Sequence, residues 1–251
     1  TSKQYGSKGS AAALLAHLYA WKGSVAELYG YSNIDAKAAY EKSVEYATHL
    51  IKGDVGNYSL VENPEALCQL LSNSSANNPE EIFSIAYDKG RDNEAITKNT
   101  VATFFVTWPV NELKLEGDLA QADYRLHRST VNKLYPDAGD LRRTAFFYKQ
   151  DEAHMAGGTD YAVPYKFRKA IYNIDQSSEA GKSFLSLDAN YVYWRLADIY
   201  LLRAECLNKL GKTAEAMADL NVIRARAGAA AYPANGESDL KRAIFHERER
   251  E

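Results

Sequence analysis

The 251 residues of this chain are 46% hydrophobic and 25% charged, close to the average of soluble globular proteins, which excludes a disordered chain. Its 30 lysines and arginines against 33 aspartates and glutamates leave a formal net charge of −3, without a long block of one sign, which disfavours nucleic-acid binding. No apolar run approaches the ~20 residues of a transmembrane helix, and any targeting segment is expected to lie outside this sequence.

A pair of antiparallel helices is predicted over residues 9–53. The first helix follows Gly9-Ser10 and runs from Ala11 to Leu28, with Leu15, Leu18 and Tyr19 spaced to share one face. The second begins after Asp35, a residue type that caps helices, and carries an apolar stripe at helical spacing up to Gly53.

A short strand and then a long irregular region are predicted next. Asn78-Pro79 interrupts the chain before residues 82–87, where apolar and β-prone residues indicate the strand. Residues 89–187 contain scattered glycines, asparagines and many aromatics, with only weak helical periodicity over 113–131. We expect this region to be mostly loop, with little regular structure.

Helical periodicity returns at Trp194 and predicts a second helix pair over residues 194–228. The first helix ends at Leu210-Gly211, and the next is predicted to be capped by Thr213 and to end at Gly228. Asp239 is predicted to cap a third helix that reaches Glu251. The two helix pairs are expected to pack together.

The 194–228 pair has the spacing of a tetratricopeptide repeat. Small and large residues alternate as in the helix pair of that repeat, and one such unit needs stacked neighbours to bury both of its faces. The residues concerned are Ala204, Leu207, Gly211, Ala216 and Leu220. The predicted fold is therefore mainly α: tetratricopeptide-like helical repeats with a large loop-rich insertion and minor β structure, in a single domain over residues 1–251.

The C-terminal part resembles the signature of the SusD/RagB family. The resemblance is carried by residues 194–205 (WRLADIYLLRAE), residues 220–228 (LNVIRARAG) and Ile244 through Glu247-Arg248. Further matches follow in the family's order: Gly9 with the Ala11–Ala16 helix, Ile51-Lys52-Gly53 before Tyr58-Ser59-Leu60, Asn78–Ile85, Asp140-Leu141-Arg142 and Lys166-Phe167.

The resemblance implies a lipid-anchored protein on the outer-membrane surface of Bacteroidetes-like bacteria. Such a protein captures an oligosaccharide, or sometimes a peptide, and delivers it to a SusC-like TonB-dependent transporter. Family members are usually longer, so the chain is expected to be a fragment, and contact with a membrane would need a lipid anchor that this sequence lacks.

Neither a metal nor a nucleotide cofactor is expected. The five histidines and the two cysteines show no spacing that places several metal ligands together. Gly157-Gly158 is a turn signal without the lysine of a phosphate-binding loop. Cys206 lies in an apolar helical pattern and is interpreted as a small buried hydrophobe, with a disulfide to Cys68 as the alternative.

The charged residues of the C-terminal helices are interpreted as solvated faces or local ion pairs. Arg203, Arg224 and Arg226 could bind an anion, and Glu247 with its neighbouring glutamates could suggest paired catalytic carboxylates. Residues two apart on a helix do not face each other, so no catalytic residue is assigned.

The high number of tyrosines, 18, is the feature of the composition that bears most on ligand binding, because sugar rings present apolar C–H faces that stack on aromatic planes. Trp108 precedes Pro109 in the loop-rich region, where a rigid aromatic could form a platform for a sugar. The candidate ligand contacts are Trp108, Tyr124, Tyr135 and Phe105.

Three functions compete on the sequence alone. A glycan-capture protein fits the long aromatic-rich region, and a tetratricopeptide-type adaptor that binds peptides or proteins fits the helix pairs. An all-α glycosidase would need two acidic residues converging across ~5–10 Å, which spacing along one chain does not reveal. We expect a binding protein and not an enzyme.

Overall fold

The computed structural model describes residues 3–86, 101–115 and 124–251. In chain order the elements are α1 (Lys8–Tyr29), α2 (Ala36–Lys52), α3 (Pro64–Leu71), β1 (Glu81–Ile85), the 3-10 helix η1 (Val101–Phe105), β2 (Leu126–His127), α4 (Arg128–Leu134), α5 (Arg142–Ala145), β3 (Phe147–Tyr148), β4 (Met155–Ala156), β5 (Thr159–Pro164), β6 (Ala170–Ile174), β7 (Lys182–Leu187), β8 (Tyr191–Arg195), α6 (Leu196–Lys209), α7 (Thr213–Arg226) and α8 (Leu240–Arg250). The predicted mainly α class with minor β structure is confirmed.

The chain divides into two compact units. The helical unit comprises Thr1–Val61, Pro79–Ser84 and Val192–Glu251, and the mixed unit comprises Glu62–Asn78 and Ile85–Tyr191. The single domain expected over residues 1–251 stays a prediction.

Local capping determines where the first helix pair begins and ends. The Ser7 side chain accepts a hydrogen bond from the Ser10 N–H, and the Ser10 side chain accepts one from the Ser7 N–H, which forms a capping box for α1. Asp35 caps α2 by accepting from the Ala38 N–H, and Gly53 ends it with a φ of 82°, as predicted.

The most deeply buried residues of α1 are alanines and not the Leu15, Leu18 and Tyr19 stripe. Leu18 is half exposed, while Ala12, Ala13 and Ala16 are buried against α2 and α6. Small side chains let the helix backbones approach closely, and the Ser43 hydroxyl on α2 donates to the Ala16 carbonyl across 2.8 Å. The closest contacts of α1 are therefore made by its small residues, while Tyr19 stacks on Tyr46 of α2.

The second helix pair packs against the first within the helical unit, as predicted. Helix α6 contacts α2, α1, α7 and α8, and a buried cluster of alanine, leucine and isoleucine joins α6, α7 and α8.

Gly211 and Gly228 follow α6 and α7 with φ values of 75° and 68°. Thr213 is the first helical residue of α7 and not its cap, because Lys212 occupies that position without a side-chain hydrogen bond. Asp239 caps α8 as predicted.

The interpretation of the charged residues on α7 and α8 as a solvated face is wrong for Arg224, Arg226 and Glu247, which are buried. Arg224 and Glu247 are buried and form an ion pair at 3.0 Å. Arg226 is also buried and pairs with Glu80 at 3.0 Å and with Glu251. Helix α7 therefore contributes buried arginines to the interior of the helical unit, where Glu247 of α8, Glu80 just before β1 and Glu251 just after α8 neutralise them.

The predicted strand at 82–87 is observed as β1, which pairs with β8; Tyr87 lies outside the described residues. Backbone bonds tie the two segments together, since the Leu196 N–H donates to the Glu80 carbonyl at 2.8 Å. Strand β8 leads directly into α6, which places Trp194 in a strand and not in the predicted helix.

Residues 89–187 are more regular than the sequence predicted, in the parts described, 101–115 and 124–187. Strand β5 pairs antiparallel with β2, β3 and β4, and β6 pairs with β7. The strands were missed because several have only two residues, too short for an alternating pattern. The weak periodicity over 113–131 falls partly on 116–123, outside the described residues.

Gly157-Gly158 forms the tight turn of the β4–β5 hairpin. Both glycines have positive φ, 57° and 79°, and the register pairs Ala156 with Thr159 across the two-residue loop. Positive φ at both central residues is the geometry whose twist matches that of the flanking strands.

Cys68 in this unit, like Cys206 in the helical unit, is a buried free cysteine, so Cys206 is a small buried hydrophobe as predicted.

Candidate ligand-binding surface

A row of partly exposed aromatic rings runs through the mixed unit. The Trp108 and Tyr148 rings meet edge to face with centroids 5.3 Å apart, and Tyr148 meets Tyr165 in the same way at 5.5 Å. The Arg168 guanidinium lies over the Tyr165 ring at 4.4 Å. We call Trp108, Tyr148 and Tyr165 the aromatic row.

Strand pairing holds the row in place. Tyr148 ends β3, where it pairs with Val163 of β5, and the Tyr165 N–H donates to the Phe146 carbonyl at 2.7 Å just past β5. Trp108 follows η1 and precedes Val110, which belongs to a buried cluster that also packs against Tyr165. The backbones behind these rings are therefore fixed by hydrogen bonds and core contacts.

Ion pairs hold the charged groups beside the row. Arg168 forms a bidentate pair with Glu65, and its hydrogen bond holds the pKa of that carboxyl below the usual value. Desolvation pulls the pKa of Asp160 upward, but the His154 N–H and the Arg128 guanidinium outweigh it and lower the pKa. Both carboxyl groups are thus carboxylates that accept hydrogen bonds from within the protein.

A second aromatic group contains two of the predicted contacts. Tyr124 packs against Phe104 and Phe105 with ring centroids 5.4 and 5.8 Å apart. Its N–H donates to the Phe104 carbonyl, and its side chain is 57% exposed. Phe105 supports the Tyr124 ring, which offers the larger open surface of the two.

Tyr135 lies in the interior of the mixed unit. It is 4% exposed, meets the Phe147 ring at 6.1 Å and has the Arg142 guanidinium over its face at 5.9 Å. A ring so enclosed has little surface to give a ligand, so its position is that of a packing residue.

The structure adds Tyr148 and Tyr165, which the sequence did not single out. The available signal was the two-glycine hairpin: once Gly157-Gly158 is read as a two-residue turn, the strands on either side follow, and Tyr165 comes directly after β5. Tyr148 had no comparable local signal because β3 has two residues.

The described residues hold no group of three or more histidine, cysteine, aspartate or glutamate side chains arranged to bind a metal. Within the same residues, no helix combines the length and the apolar character needed to cross a membrane.

The SusD family model matches residues 117–251, just over half of the chain. No curated protein matches the chain.

Solved structures of SusD-type proteins share the fold. A SusD homologue from Bacteroides thetaiotaomicron matches 100% of this chain with a TM-score of 0.74 at 23% identity, over 49% of its own length. A SusD superfamily protein from Bacteroides fragilis matches 100% with a TM-score of 0.65 at 21% identity, over 52% of its length. NanU of B. fragilis matches 99% with a TM-score of 0.63 at 22% identity, over 54% of its length. The chain thus spans about half the length of these structures.

Proposed function

This chain belongs to the SusD family, and from that premise we propose that it binds an oligosaccharide on the aromatic surface of the mixed unit. The single observation that carries the proposal is the aromatic row, in which three partly exposed rings have backbones held by strand pairing or by core contacts. Trp108 and Tyr148 are the proposed contacts within the row, and Tyr124 with Phe105 is proposed as a second aromatic contact group in the same unit. Tyr135 is proposed to pack in the interior of the unit and not to contact the ligand.

The chemistry of a sugar suits this surface. Pyranose rings expose C–H faces that pack on aromatic planes, and their hydroxyls need polar partners close by. Lys149 lies 5.5 Å from the Tyr148 ring centroid and the Arg168 guanidinium lies 4.4 Å from that of Tyr165, so cationic groups accompany the rings of the row. Rings fixed by strands lose little freedom on binding, which favours affinity.

We propose binding without hydrolysis. A glycosidase needs one carboxylic acid with a raised pKa to protonate the leaving group. Glu65 and Asp160, the acids tied to the aromatic row through Arg168 and His154, instead have a lowered pKa. Their environment favours ion pairing over proton donation.

Family membership also supports a location and a partner. We propose that the whole protein is attached to the outer membrane by a lipid and passes its glycan to a TonB-dependent transporter. An adaptor that binds peptides through the helix pairs is the second candidate, favoured by the packed α1, α2, α6 and α7 array.

A glycan array followed by calorimetry tests the proposal. The purified protein is expected to bind at least one oligosaccharide saturably, one molecule per chain, and to release no new reducing ends from it. Absence of any bound glycan, or turnover of the bound one, would contradict the proposal.

A further inference from the structure

A pocket of about 410 Å³ lies between α6 and α8 in the helical unit. Its lining includes Asn208 and Lys209 from the end of α6, and Lys241, Ile244 and Phe245 from α8. The volume falls within the range of ~300–1,000 Å³ typical of clefts for small molecules. This pocket belongs to the helical unit, whereas the glycan surface proposed above belongs to the mixed unit.

Most of the pocket surface is apolar. Ile244 is part of the buried cluster that joins α6, α7 and α8, so its side chain forms a fixed floor. Phe245 is 59% exposed and offers a ring face that the described residues leave largely uncovered. An apolar group of the size of a phenyl ring would bury part of this surface.

Most charges around the pocket are already neutralised within the protein. Lys209 pairs with Glu27, and Glu249 pairs with His246 at 2.7 Å. Arg248 bridges Asp198 and Glu205, each at 2.9 Å.

Two polar groups of the lining remain available. Among the described residues, Lys241 has no partner at hydrogen-bond or ion-pair distance, although its charge acts on Glu27 from farther away, and the side-chain amide of Asn208 forms no hydrogen bond. The Lys241 ammonium and the Asn208 amide therefore line an apolar pocket as hydrogen-bond donors. This combination suits a ligand with an apolar body and a single negative group.

We propose that this pocket binds a small amphipathic carboxylate. The apolar group packs on Ile244 and Phe245, while the carboxylate accepts hydrogen bonds from Lys241 and from the Asn208 amide. A single charge fits better than a double one, because Glu205 and Glu249 also line the pocket and would repel a dianion.

Calorimetry with 3-phenylpropionate tests the site, with 3-phenylpropanamide as the neutral control of the same shape. The acid is expected to bind one molecule per chain, about tenfold more tightly than the amide, because a charge-assisted hydrogen bond is lost with the charge. Peptides ending in phenylalanine, with a free or an amidated carboxylate, show whether a protein C terminus is an equally good source of the group.

Two variants locate the binding. Lys241→Met keeps most of the length of the side chain and removes its charge, and it should weaken the acid about tenfold while leaving the amide unchanged. Phe245→Ala should weaken both ligands. Lys37→Met, an exposed lysine on α2 outside the pocket, is the matched control and should change neither.

The proposal is overturned if 3-phenylpropionate shows no saturable binding, or if the acid and the amide bind equally. Equal effects of Lys241→Met and Lys37→Met would also overturn it. None of these results depends on glycan binding, so this proposal and the proposed function can fail separately.

Discussion

Buried charged residues connect the last two helices of the helical unit with its strands. Glu80 accepts hydrogen bonds from Arg195 at 2.7 Å and from Arg226 at 3.0 Å, and Glu247 accepts them from Arg224 and Arg250 at 3.0 and 3.1 Å. Removing one member of a buried pair leaves its partner without compensation, which costs far more than the loss of a surface pair.

Replacement of Glu247 by alanine should lower the free energy of unfolding by about 3 kcal/mol, because Arg224 and Arg250 lose a fully buried acceptor. Glu249→Ala, two residues further along the same helix and exposed, should change it by less than about 0.5 kcal/mol. Urea unfolding of both variants provides the comparison. Similar losses of unfolding free energy for the two variants would show that the buried ion pairs of Glu247 do not contribute the expected stability.

The burial of the His17 ring predicts that the stability of the fold depends on pH. Burial is the largest influence and lowers the pKa of His17 below its usual 6.5; Asp198 opposes this, Arg248 adds to it and Glu205 opposes it weakly. The unfolded chain therefore binds the proton more readily than the folded one, so stability falls as the pH drops through about 6.5 towards the lower pKa.

His17→Gln removes this titration, so the stability advantage of the parent over the variant should shrink between pH 7.5 and pH 5. Urea unfolding at a series of pH values measures the difference, and the other four histidines cancel in it. A difference that stays constant, or grows towards low pH, would contradict the lowered pKa.

At the scale of elements, helix ends were predictable and short strands were not. Asp35, Gly53 and Asp239 act through local hydrogen bonds or backbone geometry, which a sequence window contains. Strands of two residues, such as β3, exist only because β5 pairs with them. The packed face of α1 was also missed, since leucines suggest burial whereas alanines permit close contact between helices.

Two substitutions on α1 separate these faces. Ala16→Leu places a large side chain between α1 and α2 and should cost about 2 kcal/mol or more, because a packed interior has no room for it. Leu18→Ala, on the half-exposed face, should cost less than about 1 kcal/mol. Thermal and urea unfolding would give the reverse order if the leucine face were the packed one.

At the scale of the whole molecule, the family and the helical fold followed from the sequence, whereas the candidate site followed only in part. Trp108 stood out because it precedes a proline in an aromatic-rich region, and the structure gives it a tyrosine neighbour 40 positions away. Tyr135 was a further candidate from the same region of the sequence but lies in the interior. Separating the two requires tertiary contacts, which no local pattern contains.

The central claim is that the aromatic row binds a glycan, and one pair of variants tests it most directly. With the best glycan from the array, calorimetry on Trp108→Ala should show about a tenfold loss of affinity, corresponding to the ~1–2 kcal/mol of an aromatic contact. Trp21→Ala removes a 67% exposed tryptophan of the helical unit and should bind like the parent. Equal affinity of Trp108→Ala and the parent, or an equal loss in both variants, would contradict the account.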